Sequence, residues 1–170
     1  MQAISLNFEH YQQGNAETSI GARLDMFKGA LILIEQNVVW GHGLNSYKKK
    51  ATEVRENTPG LSRHVGRWNN PHNEILLVMV EKGLVGLVTL LFLFVAPALL
   101  FLKALSCAEQ SARFYAMCGL NILIVYAVVG QSVALFEHDV FNHFFALMVL
   151  LFASQIRVIE HLGGEVEWVG

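Results

Sequence analysis

The chain has 170 residues, of which 54% are apolar and 15% are charged, with a formal net charge of −2. Soluble domains usually contain about a quarter charged residues, so the composition disfavours a soluble globular protein. The sequence contains no GxGxxG, GxxxxGK or GxSxG motif. It therefore offers no support for soluble nucleotide-binding or serine esterase chemistry.

Charged residues are distributed unevenly along the chain. Nine of the twelve Lys and Arg residues and eight of the fourteen Asp and Glu residues lie in residues 1–83, whereas residues 84–102 contain none of them. This division predicts a polar loop region attached to a bundle of membrane helices.

The loop region, residues 1–83, is predicted to contain two amphipathic helices, at about 24–38 and 73–82. The first helix is indicated by apolar residues at three- and four-residue spacing, as on one face of a helix: Leu24, Phe27, Leu31, Ile34 and Val38. Between the two helices, residues 44–70 are polar, basic and interrupted by Pro59, so we expect an irregular loop there. Asn73 is expected to cap the second helix through its side chain.

Three uncharged stretches within residues 84–156 predict transmembrane helices, at about 84–102, 114–136 and 140–156. The first has a length close to the ~20 residues that cross a hydrocarbon layer of ~30 Å. Pro97 lies inside it and is tolerated in a membrane helix, because neighbouring groups can satisfy the carbonyl that it frees. The prediction is an all-α integral membrane protein, a partial bundle of three transmembrane helices followed by a tail at 157–170.

The orientation of these helices is predicted by the basic residues at their ends. Lys103 and Arg113 flank the connection between the first two spans, Arg157 follows the third, and the turn at 137–139 contains no Lys or Arg. Basic residues in short loops mark the cytoplasmic side. We therefore expect a cytoplasmic tail and a long loop region on the periplasmic face of a bacterial inner membrane.

The segment from residue 41 to residue 72 is basic, with six Lys and Arg residues against two Glu residues. Such a segment can attract the phosphates of lipids or of a diphosphate-linked substrate. The alternative is a solvated loop, or one that contacts anionic headgroups. Nucleic acid is not expected as a partner of a periplasmic loop.

Two residues are candidates for chemistry. His72 lies between a loop and a helix, and an imidazole can accept a proton from a hydroxyl group at neutral pH. Arg23 begins the first amphipathic helix, and a guanidinium group suits phosphate oxygens. Structural roles remain as alternatives: a hydrogen bond from the His72 ring to backbone, and a surface ion pair for Arg23. No histidine has the spacing of a zinc motif, so we expect neither a metal nor a cofactor.

Four stretches, taken in order, resemble the C-terminal part of the O-antigen ligase and O-antigen polymerase superfamily. They are Ser19-x-x-x-Arg23, Val39-Trp40-Gly41-His42-Gly43-Leu44-Asn45, Asn70-Pro71-His72-Asn73-Glu74 and Val80-Glu81-Lys82-Gly83-Leu84-Val85-Gly86-Leu87. The resemblance covers about residues 19–156, and its last two stretches are the most specific part.

This resemblance implies a metal-independent, membrane-embedded glycosyltransferase that moves a glycan from an undecaprenyl-diphosphate carrier to an acceptor at the periplasmic face. A ligase uses lipid A–core as the acceptor, and a polymerase uses another repeat unit on its carrier. The resemblance implies that His72 activates the acceptor hydroxyl and that Arg23 holds the diphosphate. Further substrate contacts are expected from basic residues of the loop region, namely Lys48, Lys49, Lys50, Arg63 and Arg67.

Members of this superfamily have more membrane spans than this chain. We therefore expect a truncated product, a split subunit or a cut fragment, whose site is completed by missing N-terminal helices or by a partner chain. A non-catalytic membrane module is an alternative. A transporter fragment is disfavoured because the predicted spans contain no Lys, Arg, Asp or Glu.

Overall fold

A computed structural model describes residues 19–162. The first 18 residues of the predicted loop region and the last eight of the predicted tail lie outside the described residues. Five α-helices follow one another: α1 (Ser19–Gln36), α2 (Tyr47–Asn57), α3 (Glu74–Ala104), α4 (Gln110–Val129) and α5 (Asp139–Leu162). A 3₁₀ turn at Leu135–Glu137 precedes α5. Residues 19–162 include no strand, and the all-α prediction is confirmed.

Three of these helices are long and apolar enough to cross a membrane, which confirms the predicted number of spans: α3, α4 and residues Asp139–Ile159 of α5. Helix α4 ends at Val129, although the uncharged run continues to residue 136. The end of that run contains the 3₁₀ turn, in which Leu135 is buried. Apolar composition alone does not distinguish a helix from a buried turn.

The described residues divide into two compact units. The first comprises the residues up to Val88 together with Gln131–Ala134, and the second comprises Thr89–Gly130 together with the residues from Leu135 onwards. In the second unit, Phe101 is fully buried and packs where Gly119 of α4 leaves room for its ring. The hydroxyl of Tyr126 donates to the backbone carbonyl of Phe141 at 2.8 Å and so joins α4 to α5.

The first unit has a core to which α1, α2, α3 and the loop after α2 all contribute. Its fully buried members include one side chain from each of these elements: Leu33, Tyr47, Val80 and Val65. Burial of such side chains is the main favourable term in folding. The described part of the predicted loop region, residues 19–83, therefore contributes to a packed unit with its own apolar core.

Helix α1 enters this core by a face that differs from the predicted apolar stripe. The buried apolar residues of α1 lie on its other side, and two of the four are alanines: Ala22, Met26, Ala30 and Leu33. On the same side, a Cβ atom added at Gly29 would lie 2.8 Å from a methyl carbon of Val65. Small side chains allow this close approach, whereas Leu31 of the predicted stripe stays exposed.

The expectation of an irregular loop at 44–70 was wrong for residues 47–57, which form α2. Tyr47, Ala51 and Val54 are buried, at the i, i+4 and i+7 positions of one helix face. The many charged neighbours of these three residues hide the stripe in the sequence. Burial also raises the pKa of the Tyr47 hydroxyl, which stays protonated.

Helix α3 is interrupted at Gly83, whose φ of 61° and ψ of −156° are not helical. The carbonyls of residues 80–81 accept hydrogen bonds from the N–H groups of residues 42–43, at 2.8 and 2.9 Å. On the other side of the break, the N–H groups of residues 84–85 donate to the carbonyls of residues 38–39, at 2.8 and 3.4 Å. The segment after α1 thus supplies partners for the backbone groups that the break leaves free.

Glycine is required on both sides of this contact. A Cβ atom at Gly83 would overlap the backbone of Val39, and a Cβ atom at Gly41 would lie 2.5 Å from the carbonyl carbon of Glu81. Both glycines also have positive φ angles, which residues with a Cβ atom rarely adopt. The two glycine motifs are therefore the two halves of one backbone contact.

We expect Gly41→Ala to destabilise the protein more than Gly43→Ala. Both positions have positive φ angles, 69° and 96°, so each alanine costs about 1–2 kcal/mol of backbone strain. A Cβ atom added at Gly41 meets backbone atoms, whereas a Cβ atom added at Gly43 has no atom within 4 Å. The overlap adds about 1–3 kcal/mol. Thermal unfolding in detergent, followed by circular dichroism, measures the difference, and equal Tm values for the two variants would contradict the contact.

Candidate functional site

His72 lies on a tight turn that leads into α3. Its φ of 55° is in the left-handed region, which costs a residue with a Cβ atom about 1–2 kcal/mol. The N–H of His72 donates to Oδ1 of Asn70 at 2.9 Å, a local bond that stabilises such a turn. The backbone at His72 is therefore held in an unusual conformation by its own neighbours.

The next residue, Asn73, holds the other side of this turn. Its Oδ1 accepts a hydrogen bond from the N–H of Leu76 at 3.0 Å, so the predicted helix cap is confirmed. Its Nδ2 donates to the carbonyl of Gln131 at 3.2 Å. Asn73 is buried, and these bonds anchor the turn within the first unit.

The imidazole of His72 is half-buried, and among the described residues neither of its ring nitrogens has a hydrogen-bond partner. His42 provides a contrast, because its Nε2 lies 2.8 Å from the carbonyl oxygen of Leu33 and bonds with it. The structural alternative for His72, a ring bonded to backbone, is thus found at His42. Among the described residues, the His72 ring is not held by such a bond.

Trp68, on the same loop, packs against His72 and is itself packed by Arg67. The ring of Trp68 is 6.2 Å from the His72 ring, centroid to centroid, at an interplanar angle of 63°. The guanidinium carbon of Arg67 lies over the Trp68 ring, 5.2 Å from its centroid. Trp68 therefore contacts both a predicted basic residue, Arg67, and the predicted catalytic histidine.

A contact between α1 and the loop after α2 lies close in sequence to Arg23 and Arg63. The buried carboxylate of Asp25 accepts a hydrogen bond from the N–H of Ser62, with its Oδ2 at 2.9 Å. Arg23 precedes Asp25 by two residues on α1, and Arg63 directly follows Ser62. Both arginines are exposed, and within the described residues Arg23 forms no ion pair.

The three predicted lysines lie on α2, and the structure gives them different surroundings. Lys50 binds Glu53 with an Nζ–Oε2 distance of 2.8 Å, and this bond holds the pKa of the Glu53 carboxyl below its usual value. Lys48 and Lys49 are exposed. Among the described residues, no hydrogen bond or ion pair connects any of the three, or Arg23, with His72. Their joint action on one substrate stays a prediction.

Comparison with known proteins identifies the family. The sequence profile described as O-antigen ligase matches residues 1–92, more than half of the chain. The chain belongs to the O-antigen ligase family. The match contains all seven predicted site residues and ends within α3.

This family member is also similar to an uncharacterized protein of Haemophilus influenzae, with 26% identity over 144 residues. The aligned region covers 84% of this chain and 36% of the relative. The chain therefore spans little more than a third of the length of that relative. Together with the three long apolar helices, family membership identifies a membrane protein.

Three residues of the candidate site were not singled out in the sequence: Asp25, Asn70 and Trp68. An aromatic residue among basic and polar residues is the signal by which Trp68 could have been found. The role of Asn70 is a local bond to the N–H two residues on, for which an Asn in a turn is the ordinary signal. Asp25 offered no comparable signal, since its role depends on a backbone group that only the fold brings to it.

Proposed function

We propose that this family member is part of a metal-independent glycosyltransferase, which transfers a glycan from an undecaprenyl-diphosphate carrier to lipid A–core in lipopolysaccharide biosynthesis. The observation that carries the proposal is the half-buried imidazole of His72, which has no partner on its ring nitrogens among the described residues. The ring is presented by a strained turn that is anchored on both sides. Strained backbone of this kind occurs preferentially at functional sites.

In the proposed reaction, His72 accepts the proton of an acceptor hydroxyl group as its oxygen attacks the anomeric carbon of the donor glycan. The new bond joins that oxygen to the anomeric carbon. The bond between the anomeric carbon and the diphosphate breaks, and undecaprenyl diphosphate leaves with the electron pair. General base catalysis of this type contributes about 10²–10⁴-fold to a rate.

The leaving diphosphate requires fixed positive charge. We assign this role to Arg23, with support from Arg63 and Arg67, because arginine keeps its charge and binds phosphate oxygens through two N–H groups. The contact between Ser62 and Asp25 holds the loop that carries Arg63 against α1, the helix that carries Arg23. Lys48 and Lys49 are assigned weaker contacts with the carrier or with anionic lipids.

The acceptor is the part of the proposal that the family leaves open. A polymerase of the same superfamily would use the same proton transfer and the same leaving group, with a carrier-linked repeat unit in place of lipid A–core. The family description favours the ligase.

Because the alignment covers 36% of the relative, we also propose that helices outside this chain contribute to the site. A non-catalytic module is the alternative that the first variant below tests.

We expect His72→Asn to abolish transfer. Asparagine tolerates the left-handed conformation, so the turn is retained while the base is lost. In a host that lacks the chromosomal gene, the complete protein with His72→Asn should reduce O-antigen-bearing lipopolysaccharide on gels by about 100-fold or more. The matched control is His64→Asn, which replaces a half-buried histidine of the same loop and should retain the product. Normal product with His72→Asn would refute the catalytic role.

Arg23→Ala is expected to reduce the same product by about 100-fold, because the developing charge on the diphosphate loses a preorganised partner. Lys28 lies on the same helix, with its Nζ 4.0 Å from Oδ1 of Asp25. Lys28→Ala removes this charge and should have a small effect on the amount of product. Equal losses in the two variants would indicate a general effect of charge on α1, and an unaffected Arg23→Ala variant would exclude the assigned role.

The proposal also requires the loop region to face the periplasm. Cysteines placed at the exposed positions Asn69 and Ser106, in a Cys118→Ser background, can be labelled with a membrane-impermeant maleimide. We expect Asn69→Cys to react in cells with a permeabilised outer membrane, and Ser106→Cys, between α3 and α4, to react only after lysis. The reverse pattern would place the loop in the cytoplasm, away from the proposed donor.

A further inference from the structure

Trp68 is an exposed aromatic residue in a polar loop. Its side chain is 47% exposed, although burial of an aromatic ring is among the most favourable contributions that a side chain makes to folding. Much of the indole surface is thus left open next to the candidate catalytic histidine.

The indole is held in place by its neighbours. Arg67 lies over the ring at 5.2 Å, within the range of a cation–π interaction. The His72 ring packs at 6.2 Å in an edge-to-face arrangement, which aromatic pairs prefer. Because the turn at His72 is itself anchored, the two rings have a defined relative position.

We propose that Trp68 is a sugar-binding surface that holds the acceptor pyranose ring beside His72, an inference that rests on the proposed function. One face of a pyranose ring presents C–H groups with a weak positive charge, and the face of the indole opposite Arg67 carries negative charge density. The hydroxyl groups of the sugar point away from such a contact and stay available. A pyranose ring on Trp68 therefore places its hydroxyls next to the imidazole.

The competing role for an exposed tryptophan in a membrane protein is an anchor at the membrane–water interface. Trp40 serves as the comparison, because it is 72% exposed and, among the described residues, it has no aromatic or cationic partner. An anchoring role predicts similar behaviour for the two tryptophans. A sugar-binding role predicts that only Trp68 responds to a glycan.

The direct test uses tryptophan fluorescence of the protein in lipid nanodiscs. The chain has three tryptophans, so Trp40→Phe with Trp168→Phe leaves Trp68, and Trp68→Phe with Trp168→Phe leaves Trp40. The probe is core oligosaccharide released from the lipopolysaccharide of the host. We expect a saturable change of emission only where Trp68 remains. No change there, or an equal change in the Trp40 protein, would overturn the inference.

A second test uses transfer kinetics of the complete protein. Trp68→Leu should raise the KM for the acceptor by about tenfold, the loss expected for an aromatic contact of ~1.4 kcal/mol, while kcat changes less. Trp68→Phe should restore most of the affinity, and Trp40→Leu should leave KM unchanged. A fall in kcat alone, or equal effects of Trp68→Leu and Trp40→Leu, would contradict a sugar contact.

The two proposals fail separately. If His72→Asn abolishes transfer but leaves the fluorescence response of Trp68 intact, both the base and the sugar surface are supported. If transfer survives in His72→Asn while the response persists, the catalytic role is wrong and the sugar surface stands. If the response is absent, the sugar surface is wrong whatever His72 does.

Discussion

The break in helix α3 at Gly83 is the constraint on which the first unit depends. A helix that stops and restarts leaves carbonyl and N–H groups without partners, and each such buried group costs on the order of 1–3 kcal/mol. Here, the segment at 38–43 supplies four backbone hydrogen bonds to the two sides of the break. Since the break directly precedes a span-length apolar stretch, water is a poor substitute for these partners.

This contact also determines where the neighbouring elements begin. The segment at 38–43 leads into α2, whose first residue, Tyr47, is fully buried and directs its N–H towards the buried carboxylate of Glu81 at 3.4 Å. The loop after α2 is then held by Arg55, which donates to the carbonyl of Val65 at 3.2 Å. A basic loop that reads as irregular is in this way fixed against three helices, and the turn that carries His72 follows it.

The basic residues of the loop region have different roles in spite of their similar chemistry. Arg55 donates to the carbonyl of Val65, and Lys50 binds Glu53 on its own helix. Arg67 instead packs on Trp68 and stays exposed. The positive charge of the loop region therefore comes from residues in different surroundings, and only the contacts in the structure distinguish them.

Several features followed from the sequence alone, because each depends on a local property of the chain. The three spans follow from the length and the lack of charge of three segments, and the cap at Asn73 follows from a side chain that bonds within its own turn. The family was recognisable from motifs in the correct order. The choice of His72 and Arg23 came from that resemblance together with the chemistry of imidazole and guanidinium groups.

Other features were decided only by the tertiary structure, because they depend on what lies opposite each residue. Helix α2 was missed because three buried residues do not stand out among lysines, and the buried face of α1 is set by the approach of Val65 to Gly29. The requirement for glycine at 41 and 83 arises where two distant segments meet. The packing of Trp68 against His72 likewise depends on a loop path that no periodicity predicts, since its anchors are hydrogen bonds to backbone groups brought together by folding.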